Sequence, residues 1–99
     1  MTLQTTANIY VTGFSGTGKT TTCRELSRIM KWRFVDLDDE IVASAGKAIP
    51  EIFAEDGEER FRDLESKVLQ TVSSSQHQVV STGGGIVTDE GNRTTMASS

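Results

Sequence analysis

The sequence predicts an α/β domain with a parallel sheet and flanking helices. Three short segments at 9–11, 34–35 and 79–82 have the character of strands and each ends at a glycine-rich or acidic segment, and helical patterns separate them. Strands that alternate with helices favour parallel pairing under right-handed crossovers. The 99 residues fit one domain, 1–99, since single domains commonly hold about 100 to 150 residues.

The first unit is a strand, a glycine loop and a helix. The run Ile9–Val11 is rich in β-branched and aromatic residues and stops at Gly13, which predicts a buried strand. After the loop, apolar residues recur at helical spacing as far as Lys31. One of them is the single cysteine, Cys23, which we interpret as a small buried side chain.

The second unit begins with a strand around 34–35 and runs into an acidic cluster at 36–40. In that cluster Asp38 or Asp39 can cap the next helix. Gly46 is placed to end it, because glycine tolerates the left-handed conformation of a helix C-terminus.

The third unit contains the longest helical pattern. Pro50 suits the first turn of a short helix that closes near Gly57. A third strand at 79–82 follows, and Asp89 opens a last, weak helix. Between the short helix and the third strand lies a long helix, whose apolar stripe consists of Phe61, Leu64, Val68, Leu69 and Val72.

Composition narrows the function classes. Ten basic against fourteen acidic residues give a net charge of −4, which opposes general nucleic-acid binding. The sequence lacks the run of about 18 to 20 apolar residues that a membrane helix needs, and its start does not resemble a signal peptide. One cysteine excludes an internal disulfide framework and fits a reducing cytosol. We therefore expect a cytoplasmic protein without nucleic-acid or membrane partners.

The loop at 13–20, GFSGTGKT, satisfies the phosphate-binding pattern G-x-x-x-x-G-K-[S/T]. Its backbone N–H groups can surround a β-phosphate at the start of the following helix. Lys19 would bridge the β- and γ-phosphates, and Thr20 would offer a hydroxyl to Mg²⁺. The strand before and the helix after are the required context, so we predict a nucleoside triphosphate with Mg²⁺.

Two carboxylates follow the second strand. Asp36 and Asp38 are two residues apart, so both can leave the same side of the pleat and face the phosphate loop. Phosphoryl transfer can use one carboxylate to hold Mg²⁺ and another to accept the proton of an attacking hydroxyl. The alternative is a solvated acidic cap, which we prefer for Asp39 and Glu40.

The long helix places a charged pair at its apolar stripe. Glu65 falls inside the stripe and Arg62 at its edge, three residues away. The glutamate could orient the guanidinium toward a carboxylate or phosphate of the substrate. The alternative is an ordinary surface ion pair.

Three glycines, Gly83, Gly84 and Gly85, follow the third strand. They permit close approach of the backbone to a ligand, although a simple hinge is the alternative. Parallel sheets carry their sites at the carboxyl ends of the strands, so the glycine loop, the aspartates and this triplet should meet at one rim.

In these residues the chain resembles the shikimate kinases, through GFSGTGKTT, FVDLDDEI, GKAIPEIFAEDGEERFRDLE and STGGG. The resemblance implies the P-loop NTPase fold of the nucleoside-monophosphate-kinase type. It also implies transfer of the γ-phosphate of ATP to the 3-hydroxyl of shikimate, in chorismate and aromatic amino acid biosynthesis. A related small-molecule kinase, such as a gluconate kinase, is the alternative.

The resemblance also implies roles for single residues. Asp38 would bind the shikimate hydroxyl and act as its base, and Lys19 would assist catalysis. Mg²⁺ would be held by Thr20 and Asp36. ATP would be held by Gly16, Thr17, Gly18, Lys19, Thr20 and Thr21. Shikimate would be contacted by Asp38, Arg62, Glu65, Gly83, Gly84 and Gly85.

Members of the family are longer, with two more strands, an arginine-bearing lid over ATP and a later arginine for the shikimate carboxylate. We expect a full-length form to be an active, monomeric enzyme of the cytoplasm, or of a plastid if a transit peptide was removed. For the 99 residues alone we expect little or no kinase activity. A truncated form would leave the first strand on a sheet edge, open to association with another chain.

Overall fold

The structure, a computed structural model, describes residues 8–13 and 17–98, with only the backbone of Thr17. These residues form an α/β fold with a three-stranded parallel sheet, as predicted. The strands are β1 (Ile9–Val11), β2 (Arg33–Asp36) and β3 (Gln78–Ser81). The helices are α1 (Thr17–Met30), α2 (Leu37–Ala45), α3 (Ile49–Ser73), the 3₁₀ helix η1 (Gly84–Thr88) and α4 (Glu90–Ser98). None of these described helices is both long and apolar enough to cross a bilayer.

Strand β3 lies at the centre of the sheet, between β1 and β2. All four of its residues are buried, the polar Gln78 and Ser81 as well as Val79 and Val80. Val11 of β1 and Asp36 of β2 both pair with Ser81 of β3. Because the three carboxyl ends stop in register, the segments that follow them begin at the same rim.

Helices α2 and α3 pack on the sheet and form the core with it. The predicted stripe of α3 is confirmed, since Phe61, Val68 and Leu69 are buried and Leu64 and Val72 pack against them. Burying one such side chain contributes about 1.5 to 3 kcal/mol, which holds α3 against the sheet. The other buried members of the core are Val35, Leu37, Ile41, Ile52, Val80 and Ile86.

The start of α2 differs from the prediction. The prediction that Asp38 or Asp39 caps this helix is wrong, because the strand already ends at Asp36 and the helix begins at Leu37. Asp36 is the cap: its Oδ1 accepts hydrogen bonds from the backbone N–H groups of Asp38 (2.9 Å) and Asp39 (3.4 Å). Gly46 ends the helix with φ of 74°, as predicted.

Helix α3 is interrupted at Gly57. Its backbone angles there, φ 86° and ψ 167°, are accessible almost only to glycine. The predicted short helix therefore does begin near Pro50 and close at Gly57, and the longer helix continues directly from it.

The turn after β3 was not predicted as a helix. Residues 84–88 coil into η1, and its carbonyls are held by side chains that follow in the chain. The Thr88 hydroxyl donates a hydrogen bond to the Gly85 carbonyl at 2.7 Å. Asn92 Nδ2 donates to the Ile86 carbonyl at 3.2 Å, and Arg93 Nη1 donates to the Val87 carbonyl at 2.5 Å. The glycine segment is thus a fixed turn rather than a free hinge.

Candidate active site

The phosphate-loop side of the rim begins at Gly13 and continues in the first turns of α1. Gly13 has φ of 144°, which favours glycine. The first turn of α1 contains no acidic residue, so its partial positive charge is open to an anion. A Cβ placed on Gly18 would have no neighbour within 4 Å among the residues that the structure describes. Thr20 and Thr21 follow on the same helix, whereas Gly16 and the side chain of Thr17 lie outside the described residues.

Lys19 connects the phosphate loop to the central strand. Its Nζ donates hydrogen bonds to Gly13 O at 2.9 Å and to Thr82 O at 2.6 Å. A lysine in the first turn opposes the helix dipole, and these carbonyls offset that cost. The sequence did not reveal these acceptors, because any residue type supplies a backbone carbonyl.

The carboxylates of Asp36 and Asp38 lie near each other and near Lys19. The prediction that Asp38 leaves the pleat of the second strand is wrong, because Asp38 belongs to the first turn of α2. Burial raises the pKa of the Asp38 carboxyl above its ordinary value, and Asp36 raises that pKa further, while Lys19 opposes both. These effects on the Asp38 carboxyl show that Asp36 and Lys19 are its close neighbours.

Behind Lys19, α1 packs against the end of β3. Cys23 is fully buried and hydrogen-bonds with the Ser81 side chain. Burial raises the pKa of the Cys23 thiol, so the thiol stays protonated and unreactive at neutral pH. The prediction of a small buried cysteine is confirmed, whereas the contact with Ser81 had no signal in the sequence.

Arg62 and Glu65 form the other side of the rim. Arg62 Nη1 donates to Glu65 Oε1 at 3.1 Å, and the Glu65 side chain is only 2% exposed. The predicted contact is therefore confirmed, and a surface ion pair is excluded by the burial of the glutamate. The guanidinium also lies 5.3 Å from the ring centroid of Phe61 and 3.7 Å from a Glu58 oxygen.

Glu65 also links the two sides of the rim. Burial raises the pKa of the Glu65 carboxyl, and the hydrogen bond and charge of Arg62 lower it. The carboxylate of Asp38 also raises the pKa of Glu65, so Asp38 is close enough to act on both Lys19 and Glu65. Asp38 is therefore near charged groups of both sides of the rim, Lys19 and the Arg62–Glu65 pair.

The glycine segment lies against this pair. Gly85 is in direct contact with the Arg62 guanidinium and lines a cavity with Arg62 and Glu65. Gly83 precedes η1, and Gly84 begins it. All three predicted glycines thus follow the end of β3 on the side of the rim that carries Arg62.

The oxygen groups at the rim fit a magnesium ion that arrives with a nucleotide. Thr20 offers a hydroxyl and Asp36 a carboxylate, which are hard ligands of the kind that Mg²⁺ prefers. No group of three or more acidic, histidine or cysteine side chains among the described residues could hold a metal alone. One or two protein ligands completed by phosphates and water is the usual arrangement for Mg²⁺ in kinases.

The comparison with protein families identifies the family of the chain. The model of the shikimate kinase family matches residues 15–99, which include the phosphate-loop lysine, the aspartates, the Arg62–Glu65 pair and the glycine segment. The chain belongs to the shikimate kinase family. The shikimate kinase of Thermosynechococcus vestitus is 54% identical over 81 residues, which are 82% of this chain and 44% of that protein. The shikimate kinase of Persephonella marina is 46% identical over 89 residues, 90% of this chain and 54% of that protein.

Solved shikimate kinases share the fold. The enzyme from Acinetobacter baumannii in complex with shikimate matches with a TM-score of 0.86 and 42% identity, over 92% of this chain and 51% of that one. The enzyme from Aquifex aeolicus matches with a TM-score of 0.85 and 41% identity, over 92% and 54%. The predicted P-loop NTPase fold is thereby confirmed. The chain spans about half the length of the curated relatives it matches, 44% and 54% for the two above.

Proposed function

We propose that the chain supplies the phosphate loop and most of the shikimate site of a kinase that transfers the γ-phosphate of ATP to the 3-hydroxyl of shikimate. The observation that carries this proposal is that Asp38 lies near both Lys19 of the phosphate loop and Glu65, the hydrogen-bond partner of Arg62. A phosphate-binding cation, a carboxylate and a carboxylate-binding cation at one rim suit a donor phosphate, a substrate hydroxyl and a substrate carboxylate. The relative from Acinetobacter baumannii, described in complex with shikimate, adds support.

ATP would bind along the loop and the first turn of α1, at Gly16, Thr17, Gly18, Lys19, Thr20 and Thr21. Lys19 would exchange its bonds to Gly13 O and Thr82 O for contacts with the β- and γ-phosphates. Mg²⁺ would be held by Thr20 and Asp36, and when bound it would neutralise charge on the phosphates.

Asp38 would accept the proton of the 3-hydroxyl. The hydroxyl oxygen forms a bond to the γ-phosphorus, the bond from that phosphorus to the β–γ bridging oxygen breaks, and ADP leaves with the electron pair. The hydroxyl proton passes to the Asp38 carboxylate. Lys19 would stabilise negative charge on the transferring group.

Arg62 would bind the shikimate carboxylate, since its planar guanidinium can donate two parallel hydrogen bonds to one carboxylate. The contact with Glu65 fixes the direction of the guanidinium. Backbone amides of Gly83, Gly84 and Gly85 would line the same substrate. The distance from Arg62 to Lys19 would then select an acid whose hydroxyl lies at a fixed separation from its carboxylate.

Turnover by a fusion protein tests this proposal. The chain is fused in frame to the part of the Acinetobacter baumannii enzyme that the match does not cover, and ADP release is measured with ATP, Mg²⁺ and either shikimate or gluconate. We expect turnover with shikimate in the ordinary kinase range of about 1 to 100 per second, and none with gluconate. Turnover with gluconate and not with shikimate would favour the gluconate kinase alternative.

A further inference from the structure

The guanidinium of Arg62 occupies the space in which any other residue at position 85 would carry its side chain. A Cβ placed on Gly85 would lie 2.5 Å from Arg62 Nη1, 2.6 Å from Nη2 and 2.8 Å from Cζ. These distances are far below the contact distance of about 4 Å between packed heavy atoms. The backbone of Gly85 does not itself need glycine, since its φ is not positive. The constraint on this position therefore comes from Arg62, because a side chain here and the guanidinium in its present place exclude each other.

The backbone at Gly85 is not free to move away from Arg62. Its carbonyl accepts the Thr88 hydroxyl at 2.7 Å, and the next carbonyl, of the fully buried Ile86, accepts from Asn92 Nδ2 at 3.2 Å. The Arg62 guanidinium, in contrast, is the end of a long side chain that is 38% exposed. A Cβ at position 85 would therefore displace the guanidinium and leave the turn in place.

We propose that Gly85 is a positioning residue for Arg62, in that its missing side chain forms the seat of the guanidinium beside Glu65. This role differs from a contact between the Gly85 amide and a substrate, because it acts in the protein without ligand. A side chain at position 85 removes the guanidinium from the buried Glu65 carboxylate. Only the expected effect on shikimate binding rests on the proposed function; the position of the guanidinium does not.

The pKa of Glu65 shows whether the Arg62 guanidinium lies beside the Glu65 carboxylate. Arg62 lowers the pKa of Glu65, while burial, Asp38 and Asp89 raise it. In the 99-residue chain, the ¹³C NMR signal of the Glu65 side-chain carboxyl is followed against pH. We expect Gly85→Ala to move the midpoint to higher pH, to the value found in Arg62→Ala. The double variant should titrate like Arg62→Ala alone, because the guanidinium is already lost in each.

Gly83→Ala is the matched control for this titration. A Cβ on Gly83 has no heavy atom of the described residues within 4 Å and its φ is −73°, so the Glu65 midpoint should remain that of the parent chain. Circular dichroism checks that each variant is folded. A parental Glu65 midpoint in folded Gly85→Ala would overturn the proposal, and so would loss of the fold, because the turn and not the guanidinium would then have yielded.

The consequence for shikimate is measured separately, in the fusion protein. Gly85→Ala should raise the KM for shikimate by about as much as Arg62→Ala, on the order of tenfold or more, and leave the KM for ATP within about twofold. If the Glu65 titration shifts and the KM for shikimate does not, the seat stands and the proposed role of Arg62 in substrate binding fails.

Discussion

Asp38 lies near charged groups of both sides of the rim, Lys19 of the phosphate loop and Glu65 beside Arg62. This carboxylate belongs to the first turn of α2 and is near Asp36 and near Lys19 of α1. Its charge also raises the pKa of Glu65. Asp39, the following residue, is exposed and lies in the same turn. The two aspartates therefore allow the role of Asp38 to be separated from the general effect of negative charge at this helix start.

In the fusion protein, Asp38→Asn should lower turnover by at least about a hundredfold, because the amide cannot accept the hydroxyl proton. The affinity for ATP should remain nearly intact, since the phosphate contacts come from the loop and Lys19. Steady-state kinetics and ATP titration measure the two effects. Asp39→Asn should leave turnover within about twofold, and retained turnover in Asp38→Asn would remove Asp38 as the base.

The buried carboxylate of Glu65 should make the stability of the chain depend on pH. Its pKa in the folded chain is raised above the unfolded value, mainly by burial, so its contribution is most favourable below the unfolded pKa of about 4.3. That contribution is lost as pH rises through the folded pKa. Glu65→Gln should therefore gain stability relative to the parent chain as pH rises from about 4 to 7.

Urea denaturation at several pH values measures this difference. The exposed neighbour Asp63, changed to Asn, is the control and should show no comparable dependence. A Glu65→Gln variant that loses stability relative to the parent as pH rises would show that Arg62 outweighs burial at this site.

Most helices and strands of the fold could be predicted from the sequence, but the residues at which helices begin could not. The stripe from Phe61 to Val72 repeats at helical spacing, so α3 and its buried face could be predicted. The cap of α2 could not, because it depends on where strand pairing stops, and pairing with Ser81 stops at Asp36. The coil of η1 depends on Asn92 and Arg93, which follow it in the chain and have no local pattern that reveals such contacts.

The same distinction holds for the site. Lys19 and the glycines could be predicted because the phosphate-loop pattern fixes both residue types and spacing. The carbonyls of Gly13 and Thr82 and the hydroxyl of Ser81 could not, since their roles depend on packing between α1 and β3. Asp36 was predicted as a metal ligand, and its function as a cap appeared only in the structure.

Two variants of Asp36 should separate its cap from its proposed metal contact. Asp36→Ala loses the bonds to the N–H groups of Asp38 and Asp39 and should destabilise the chain by about 0.5 to 2 kcal/mol. Asp36→Asn can still cap and should remain close to the parent in stability. Urea denaturation of the chain gives both values.

In the fusion protein, both Asp36 variants should need more Mg²⁺ for half-maximal turnover, because each lacks the charged ligand. If Asp36→Asn keeps the parental Mg²⁺ requirement, Asp36 is a cap and not a metal ligand.

At the scale of the whole molecule, the parallel register brings the two sides of the site together. The carboxyl ends of β1 and β2 both stop opposite Ser81, so the phosphate loop, α2 and the glycine turn start from one line across the sheet. β1 has β3 as its neighbour in the described sheet, and its other edge is available for pairing. The relatives are about twice as long as this chain, which covers 44% of the length of one of them and 54% of another.

We therefore predict that binding and turnover separate between the chain and the fusion protein. With ATP and shikimate, the 99 residues should release ADP at no more than about one hundredth of the fusion protein's rate, because the chain spans only about half the length of its relatives and segments that close over a substrate often complete a catalytic site. Coupled ADP-release assays at equal protein concentration compare the two. A chain that turns over at the rate of the fusion protein would contradict this prediction.

We propose that one rim binds shikimate through Arg62 and the glycine turn, with Asp38 at the hydroxyl. The most direct test is a titration of the ¹⁵N-labelled chain with shikimate, followed by the NMR signals of its backbone amides and arginine side chains. We predict saturable shifts confined to Asp38, Arg62 and Gly83 to Gly85, lost in Arg62→Ala and absent with gluconate. Shifts that avoid these residues, or equal shifts with gluconate, would contradict the account.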